Sequence, residues 1–349
     1  MRTIDFSRII KKAWANYKNP RKIVSIYDVS PQVSTNHVFE VSLDDGQKVY
    51  AKLSYYGKFE HFKEDHTIIN ILAKKLLPPY EHFLAHSLTK NGEVFTYRFH
   101  DRAASLSAWV VFYQSVKIDQ RLPRRLEEKH IQSLGRELAL FHQACEAVQD
   151  ELPHSSKTLS TDMEDLATRL ETEIGQFEFW GHADLIRRQC SVFLNHLQKI
   201  NYRKFRHIPV FLDWNIGNFS VTEDTRFFSR WDYDWFRMGS PVLDFYFFSR
   251  VVSTIGDRTV FSYLIDSLME DRFMLFLQSY HSINPLSEAE VRFLPEAYRF
   301  FILNYVIKDG RYFFHEIYAN RLRREAYELY LPSISSRFDA EKVLRVLKM

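Results

Sequence analysis

Apolar and polar residues alternate along much of the first hundred residues, a pattern typical of β-strands. Three alternating segments cover residues 22–29, 37–43 and 48–53. An Asp-Asp-Gly turn at residues 44–46 separates the second segment from the third, so the two predict a hairpin. The chain is therefore expected to form three consecutive strands in this region.

A helix is predicted directly after this hairpin. It covers residues 59–77, and Pro78 and Pro79 end it. Residues 93–100 alternate again and predict a further strand. Because helical periodicity dominates beyond that point, we place a first, β-rich domain with one helix at residues 1–99.

Residues 100–349 are predicted to form a mainly helical second domain. Three stretches carry apolar residues at alternating spacings of three and four, which make one buried stripe along a helix. They lie at residues 131–148, 163–177 and 185–200. A short β-like stretch at residues 210–235 interrupts the helices. The predicted fold class is therefore α+β.

Composition and charge argue against several classes of function. The chain has 349 residues and a net charge of +3, from 47 Lys and Arg against 44 Asp and Glu, so no nucleic-acid partner is expected. Cys145 and Cys190 form neither a disulfide framework nor a zinc motif, which is typical of a reducing compartment. No uncharged run reaches the roughly 18 residues of a membrane span, so we expect a cytoplasmic protein with no membrane partner.

The β-like stretch carries the residues with the clearest chemistry. Asn218 follows Asp213 by five positions, Asp232 comes after a predicted hairpin, and Asp244 follows a Gly-Ser-Pro segment. Phosphoryl transfer from ATP needs a hydroxyl held in line with the γ-phosphate and a cation that neutralises the phosphate oxygens. An aspartate can orient the hydroxyl or accept its proton, and Asn and Asp oxygens suit Mg²⁺. The spacing therefore indicates phosphoryl transfer.

The same segments resemble the motifs of a known superfamily. Residues 211–218 (FLDWNIGN), 231–234 (WDYD) and 239–244 (GSPVLD) resemble the patterns H-G-D-x-H-x-x-N, hydrophobic-D-W-E and G-D-P-x-x-D of the aminoglycoside phosphotransferases and choline kinases. Residues 134–142 (LGRELALFH) are similar to the L-G-x-x-L-A-x-L-H helix of that superfamily. The resemblance implies a protein-kinase-like fold in which the two predicted domains are the N-lobe and the C-lobe.

The resemblance also implies a role for each matching residue. Asp213 is the implied catalytic residue, and Asn218 and Asp232 are the implied metal ligands. Lys52 stands where the superfamily places the lysine that pairs with the ATP phosphates. ATP and Mg²⁺ are therefore the implied cofactors, and a hydroxyl group of a small molecule is the implied acceptor.

Further nucleotide contacts are assigned from position in the chain. Ser34 and Asn36 lie in a segment that resembles the nucleotide-phosphate loop and are expected to cover the phosphates. Glu64 on the predicted helix is expected to orient the strand lysine, with Glu60 as the alternative. Residues 96–100 are expected to link the lobes and to receive adenine through their backbone.

The chain departs from the superfamily pattern around the catalytic position. Phe211 and Asn215 replace histidines, Leu212 replaces a glycine, and Ser240 replaces an acidic residue. Phe211 is expected to brace the loop by packing. Two functions stay open: an ATP-dependent phosphotransferase that acts on a small-molecule hydroxyl, and a nucleotide-binding pseudokinase that regulates or scaffolds. A protein kinase is disfavoured because the glycine-rich loop, H-R-D and D-F-G sequences are missing.

Other residues near the motifs are expected to be structural. Asp244 is interpreted as a hydrogen-bond acceptor and His142 as a core histidine. Core packing, rather than a cage for a quaternary ammonium, is expected for the aromatic residues Trp214, Trp231, Tyr233, Trp235 and Phe236. Residues 257–330 are expected to select the acceptor, and their mixed charge disfavours a polycationic aminoglycoside. Sugars, amino alcohols and other metabolites stay open.

Overall fold

The computed structural model describes residues 5–30, 37–102, 106–123, 125–254 and 262–349. A lobe built on a β-sheet comes first along the chain, and a larger, mainly helical lobe follows it. None of the helices within these ranges combines the length and the apolar character that a bilayer crossing requires.

The N-lobe consists of two helices, one larger sheet and a short hairpin. Its elements are α1 (Phe6–Tyr17), β1 (Ile23–Asp28), β2 (His37–Leu43), β3 (Lys48–Ser54), α2 (Phe59–Lys75), β4 (Thr89–Lys90), β5 (Glu93–Val94), β6 (Thr96–Asp101) and β7 (Leu106–Gln114). The sheet has the strand order β1-β2-β3-β7-β6 and is antiparallel throughout. The strands and the helix predicted from hydrophobic periodicity are confirmed.

Alternation along strand β3 determines which way Lys52 faces. Val49, Ala51 and Leu53 are buried in one cluster with Ile10 of helix α1. Successive side chains of a strand face opposite sides of the sheet. Lys52 therefore lies on the other face and reaches the C-lobe.

Strand β7 corrects the expected position of the lobe boundary. It pairs with β3 on one side and with β6 on the other, so a boundary at residue 99 would fall inside the sheet. Residues 96–100, which were expected to link the lobes, belong instead to the edge strand β6. The chain leaves the sheet only after Gln114, and the linking segment starts there.

The C-lobe surrounds two short antiparallel strand pairs with helices. Its elements are α3 (Glu128–Ala147), α4 (Leu159–Leu170), α5 (Glu173–Glu178), α6 (Ala183–Lys199), β8 (Ile208–Val210), β9 (Phe219–Val221), β10 (Phe227–Arg230), β11 (Arg237–Gly239), α7 (Phe245–Val252), α8 (Asp271–His281), α9 (Glu288–Phe301), α10 (Glu316–Glu325), α11 (Leu331–Arg337) and α12 (Ala340–Leu347). Two π-helical segments, Ile302–Lys308 and Ala326–Tyr330, continue α9 and α10.

The predicted stripe at residues 163–177 is correct only in its first half. Met163 and Leu170 are buried in the core, whereas Ile174 and Phe177 are 72% and 86% exposed. The helix ends at Leu170, and the hydroxyl of Thr172 caps a new helix, α5. This cap resets the helical phase, so the later apolar residues no longer face the core.

The β-like stretch predicted within the helical lobe is confirmed. Strands β9 and β10 form a hairpin, and β8 pairs with β11. Asp213 and Asn218 lie in the loop between β8 and β9, and Asp232 follows β10. The two strand pairs therefore bring the three motif residues to one end of the small sheets.

Candidate active site

The loop that begins at Phe211 has an unusual backbone and is held by a buried carboxylate. Leu212 has a positive φ of 53°, a conformation that favours glycine, the residue the superfamily pattern has there. The Oδ1 atom of Asp244 accepts hydrogen bonds from the backbone N–H of Phe211 at 2.9 Å and of Leu212 at 2.7 Å. The Nε2 of His142 lies 3.0 Å from Oδ2 of Asp244, and the Nδ1 of His142 lies 2.9 Å from the Tyr280 hydroxyl. Asp244 and His142 therefore have the structural roles expected for them.

Within this loop, Asn215 orients the carboxylate of Asp213. The Oδ1 atom of Asp213 accepts hydrogen bonds from the Asn215 side-chain amide at 2.5 Å and from its backbone N–H at 3.2 Å. The side-chain amide of Asn218 lies 3.4 Å from the Asp213 carbonyl oxygen. The structure therefore brings Asp213 and Asn218 together, and it gives Asn215, a departure from the superfamily pattern, a positioning contact.

Lys52 crosses from the N-lobe to two carboxylates of the C-lobe. Its Nζ lies 2.6 Å from Oδ1 of Asp232 and 2.7 Å from Oδ2 of Asp234, and its side chain is almost fully buried. Burial alone would lower the pKa of Lys52, but the two carboxylates raise it above its ordinary value. Although burial disfavours the charged form of Asp232, the ammonium holds the pKa of that carboxyl below its usual range. The predicted residues Lys52 and Asp232 are thus in direct contact.

Glu64 does not have the expected contact with Lys52. Its Oε1 accepts hydrogen bonds from the Ser155 hydroxyl at 2.8 Å and from the Ser156 backbone at 2.7 Å. The alternative, Glu60, lies on the surface with a long contact to Arg98. The carboxylates at Lys52 are those of Asp232 and Asp234, so the Glu64 assignment is corrected. Asp234 was missed as a partner, although it stands where the superfamily pattern D-W-E has its acidic residue.

Ser34 and Asn36, which were expected to cover the nucleotide phosphates, lie outside the described residues. Their assignment therefore stays a prediction.

A cavity of about 400 Å³ lies between the N-lobe sheet and the C-lobe. Its lining combines apolar side chains, including those of Val38, Val116 and Ile118, with the side chains of Lys52, Asn218 and Asp232. Gln114, at the start of the linking segment, also lines it. A cleft that combines apolar side chains with a cation and two oxygen-bearing side chains has the chemistry of a nucleotide site.

Trp231 and Arg121 close one side of this cavity. The guanidinium of Arg121 lies 4.8 Å from the centre of the Trp231 ring, and its Nη1 donates a hydrogen bond to the Gly217 carbonyl oxygen at 3.2 Å. Trp214, Tyr233, Trp235 and Phe236, in contrast, are at most 5% exposed, so core packing is confirmed for these four aromatic residues.

A second, polar cavity of about 330 Å³ lies next to Asp234. Asp162 holds one wall together, since it pairs with Arg237 at 2.5 Å and with Lys308 at 3.1 Å. Asp65 of helix α2 pairs with Lys157 on another wall at 2.5 Å. The cavity therefore has carboxylates and cations in near balance.

Burial shifts the pKa values of the carboxyls that line this polar cavity. It raises the pKa of Asp65 to about 6, despite the Lys157 ammonium, and that of Asp309 to about 6, despite Lys308. For Asp162 the effect of Arg237 and Lys308 outweighs burial and lowers the pKa to about 2. Burial therefore raises the pKa of two carboxyls of the cavity even though each lies beside an ammonium group.

Asn218 and Asp232 fit a magnesium ion that also has phosphate ligands. Both line the cavity between the lobes. Among the described residues, no cluster of three or more His, Cys, Asp or Glu side chains forms a metal cage. Mg²⁺ is commonly bound by one or two carboxylates together with substrate phosphates and water, so an all-protein cage is not needed.

Several solved structures are similar to almost the whole chain in fold. An amicoumacin kinase in complex with AMP-PNP, Ca²⁺ and Ami has a TM-score of 0.66 and 14% sequence identity over 97% of both chains. A microcompartment-associated aminopropanol kinase has a TM-score of 0.60 and 17% identity over 97% of this chain and 98% of that one. The chain has the aminoglycoside phosphotransferase and choline kinase fold. A choline kinase of Streptococcus pneumoniae matches with a TM-score of 0.53 at 13% identity, over 95% and 99% of the two chains.

No protein-family model and no curated protein matches the chain. The expected α+β fold with two kinase-like lobes is nevertheless confirmed, because the sheet, the helical lobe and the solved structures agree.

Proposed function

We propose that this protein transfers the γ-phosphate of Mg-ATP to a hydroxyl group of a small molecule. The observation that carries the proposal is that Lys52, Asn218 and Asp232 line one cavity between the lobes, with Lys52 and Asp232 in direct contact. Asn218 also contacts the loop residue Asp213. These groups supply a cation for phosphate, ligands for a metal and a carboxylate for the hydroxyl, which are the parts that phosphoryl transfer requires.

The nucleotide base would lie against the apolar lining residues Val116 and Ile118, next to the backbone that follows Gln114. Lys52 is held by Asp232 and Asp234 and is therefore in place to pair with phosphate oxygens. Asn218 and Asp232 would hold the magnesium ion. When bound, this ion supplies positive charge that neutralises the phosphate oxygens.

Asp213 orients the acceptor hydroxyl and accepts its proton as the new bond forms. The acceptor oxygen forms a bond to the γ-phosphorus, and the bond from that phosphorus to the β–γ bridging oxygen breaks. The products are a phosphate ester and ADP, and the proton leaves through Asp213. Asn215 contributes by holding the carboxylate of Asp213.

The acceptor class is proposed from proteins of the same fold. The solved structures named aminopropanol kinase and choline kinase make an amino alcohol the first acceptor class to test. The polar cavity next to Asp234 is not the acceptor site that we propose, because neither Asp213 nor Asn215 lines it.

The experiment measures release of ADP from Mg-ATP with amino alcohols, sugars, nucleosides and aminoglycosides as acceptors. We expect one class to stimulate release, EDTA to abolish it, and Asp213→Asn to lower kcat about 1,000-fold, since groups that act on the transferring proton contribute about 100- to 10,000-fold. Asp224→Asn is the matched control, because Asp224 lies exposed in the β9–β10 turn. Equal activity of the two variants would refute the role of Asp213.

No observation favours the pseudokinase. Phe211 packs in the core, Leu212 is held by Asp244, and Asn215 orients Asp213. Three of the four departures from the superfamily pattern therefore have a supporting contact, and we retain the phosphotransferase.

A further inference from the structure

Arg230, at the end of strand β10, is a fully buried cation beside the candidate catalytic loop. Its Nη2 donates a hydrogen bond to the Asp213 carbonyl oxygen at 2.8 Å. Its guanidinium carbon lies 4.3 Å from the ring centre of Trp214 and 4.7 Å from that of Phe211. The side chain thus contacts three of the four residues from Phe211 to Trp214.

The backbone of Arg230 is fixed to a different part of the molecule. Its N–H donates to the Phe83 carbonyl oxygen at 2.6 Å. Its carbonyl oxygen accepts from the Ala85 N–H at 3.1 Å and from the Tyr233 hydroxyl at 2.9 Å. Asp232 follows two residues later, with a positive φ of 69°. One residue therefore connects the loop of Asp213 to the segment that carries Asp232.

Burial of this guanidinium is costly unless nearby groups compensate it. Burial lowers the pKa of Arg230, while the carboxylates of Asp213, Asp244 and Asp232 act in the opposite direction. Its Nε and Nη1 have no hydrogen-bond partner among the described residues. Burial of a charged group does not by itself indicate that the group stabilises the fold. Removing one partner of a buried charged contact is destabilising, but replacing the whole contact with apolar side chains is often neutral or stabilising. A role in the geometry of the site explains it better.

We propose that Arg230 is a positioning residue that sets the distance between Asp213 and the metal ligand Asp232. The inference rests on the proposed function for its effect on turnover. Arg230 holds the loop at the Asp213 carbonyl oxygen, while Asp244 holds it at the N–H groups of Phe211 and Leu212, next to the positive φ of Leu212. The ring of Phe211, which replaces a histidine of the superfamily pattern, is one of the two surfaces on which the guanidinium lies.

The test compares Arg230→Met with a matched control, Arg250→Met. Arg250 is also buried and lies over two aromatic rings, with its guanidinium carbon 5.4 Å from the centre of Phe247 and 4.7 Å from that of Tyr263. It belongs to helix α7 and has no part in the proposed site. Both variants remove the positive charge and the ring contacts, but only Arg230→Met removes the hydrogen bond to the Asp213 carbonyl oxygen.

Two measurements are made on the full chain. The first is amide hydrogen exchange in peptides that cover residues 211–218, which needs neither nucleotide nor acceptor. The second is kcat, with the affinity for Mg-ADP measured by calorimetry. For Arg230→Met we expect exchange in these peptides to rise at least tenfold and kcat to fall at least 30-fold, with the Kd for Mg-ADP changed less than threefold. For Arg250→Met we expect neither change.

The proposal is overturned if exchange at residues 211–218 is unchanged in Arg230→Met, if kcat is unchanged, or if Arg250→Met reproduces both effects. If the wild type turns over no acceptor, the proposed function fails, while the exchange measurement still decides whether Arg230 holds the loop. Should Arg230→Met not fold, Arg230→Lys takes its place. Lysine keeps the positive charge but lacks the planar guanidinium, and we expect amide exchange at residues 211–218 to rise threefold.

Discussion

Lys52 was predicted from the sequence, but its carboxylate partners were not. Two patterns were enough to predict this residue. Strand alternation determines the face of the sheet on which Lys52 lies, and the downstream motif determines its register along the chain. Its partners were not predictable from α2, because the carboxylates at Lys52 belong to Asp232 and Asp234, which follow β10. In the structure Glu64 contacts Ser155 and Ser156.

A pair of substitutions separates the two assignments. We expect Lys52→Met to lower kcat/KM for ATP about 100-fold, which corresponds to about 2.7 kcal/mol, because a preorganised cation at the phosphates is lost. Glu64→Gln keeps the shape of its side chain and should change kcat/KM less than threefold. Steady-state kinetics with the acceptor identified by the ADP-release panel measures both. A large decrease in kcat/KM for Glu64→Gln would indicate that Glu64 orients Lys52, contrary to the contacts in the structure.

Other functional residues could not be found from one sequence. Arg230 and Asn215 act through contacts between or within loops. Arg230 lies outside the superfamily pattern, and Asn215 stands where the pattern has a histidine. Asp213, Asn218 and Asp232 were predicted because their spacing and residue types suit the chemistry.

At the scale of elements, the loop between β8 and β9 depends on a carboxylate that lies beyond β11. Asp244 satisfies two backbone N–H groups of that loop and is itself completely buried. Local sequence around Asp213 does not account for its backbone conformation. The loop keeps the positive φ at Leu212 because the start of helix α7 is packed against it.

Loss of this carboxylate should therefore destabilise the protein as well as the site. We expect Asp244→Ala to lower the free energy of unfolding by about 3 kcal/mol, since it leaves two buried N–H groups without an acceptor at about 1–3 kcal/mol each. Asp244→Asn keeps one acceptor oxygen and should lose less. Urea denaturation measures both, with Asp224→Ala, in the exposed turn, as the control. A loss below 1 kcal/mol in Asp244→Ala would contradict the anchoring role.

Helices and strands were predictable where one hydrophobic periodicity repeats along the chain. They were not predictable where a helix cap starts a new helical phase or where a long-range strand pairing sets the boundary. The alternation in β2 and β3 was sufficient for the hairpin. The stripe at residues 163–177 failed because the Thr172 cap starts a new helix with its own phase. The lobe boundary failed because pairing of β7 with β3 is a long-range contact that local periodicity does not contain.

For the whole molecule, the contact between lobes contributes a pH-dependent part of the stability. His66 of helix α2 is buried near Lys52, and its Nδ1 lies 2.8 Å from the Phe62 carbonyl oxygen. Burial lowers the pKa of His66 to about 3, and the charges of Lys52 and Lys157 act in the same direction. Below its ordinary pKa of about 6.5, the unfolded chain binds a proton at this residue that the folded chain does not.

This difference predicts that stability is lost as pH falls. Between pH 6.5 and pH 5, His66 should remove about 1.5 kcal/mol of unfolding free energy, and His66→Gln should lack that loss. Asp65, Asp234 and Asp309 have raised pKa values and oppose the trend in both proteins, so the difference between the two denaturation curves is the quantity to measure. Parallel curves would show that His66 is protonated, or free to be, in the folded state.

The distribution of tryptophans gives this fold its own optical signal. Of the six tryptophans, four are at most 5% exposed, Trp180 is 84% exposed, and Trp231 alone lines the cavity between the lobes. The purine of the proposed nucleotide would lie near the Trp231 indole and quench its fluorescence, whereas iodide in solution reaches Trp180 first. Ligand occupancy can therefore be followed by emission from the unlabelled protein, with Trp180→Phe to remove the exposed background.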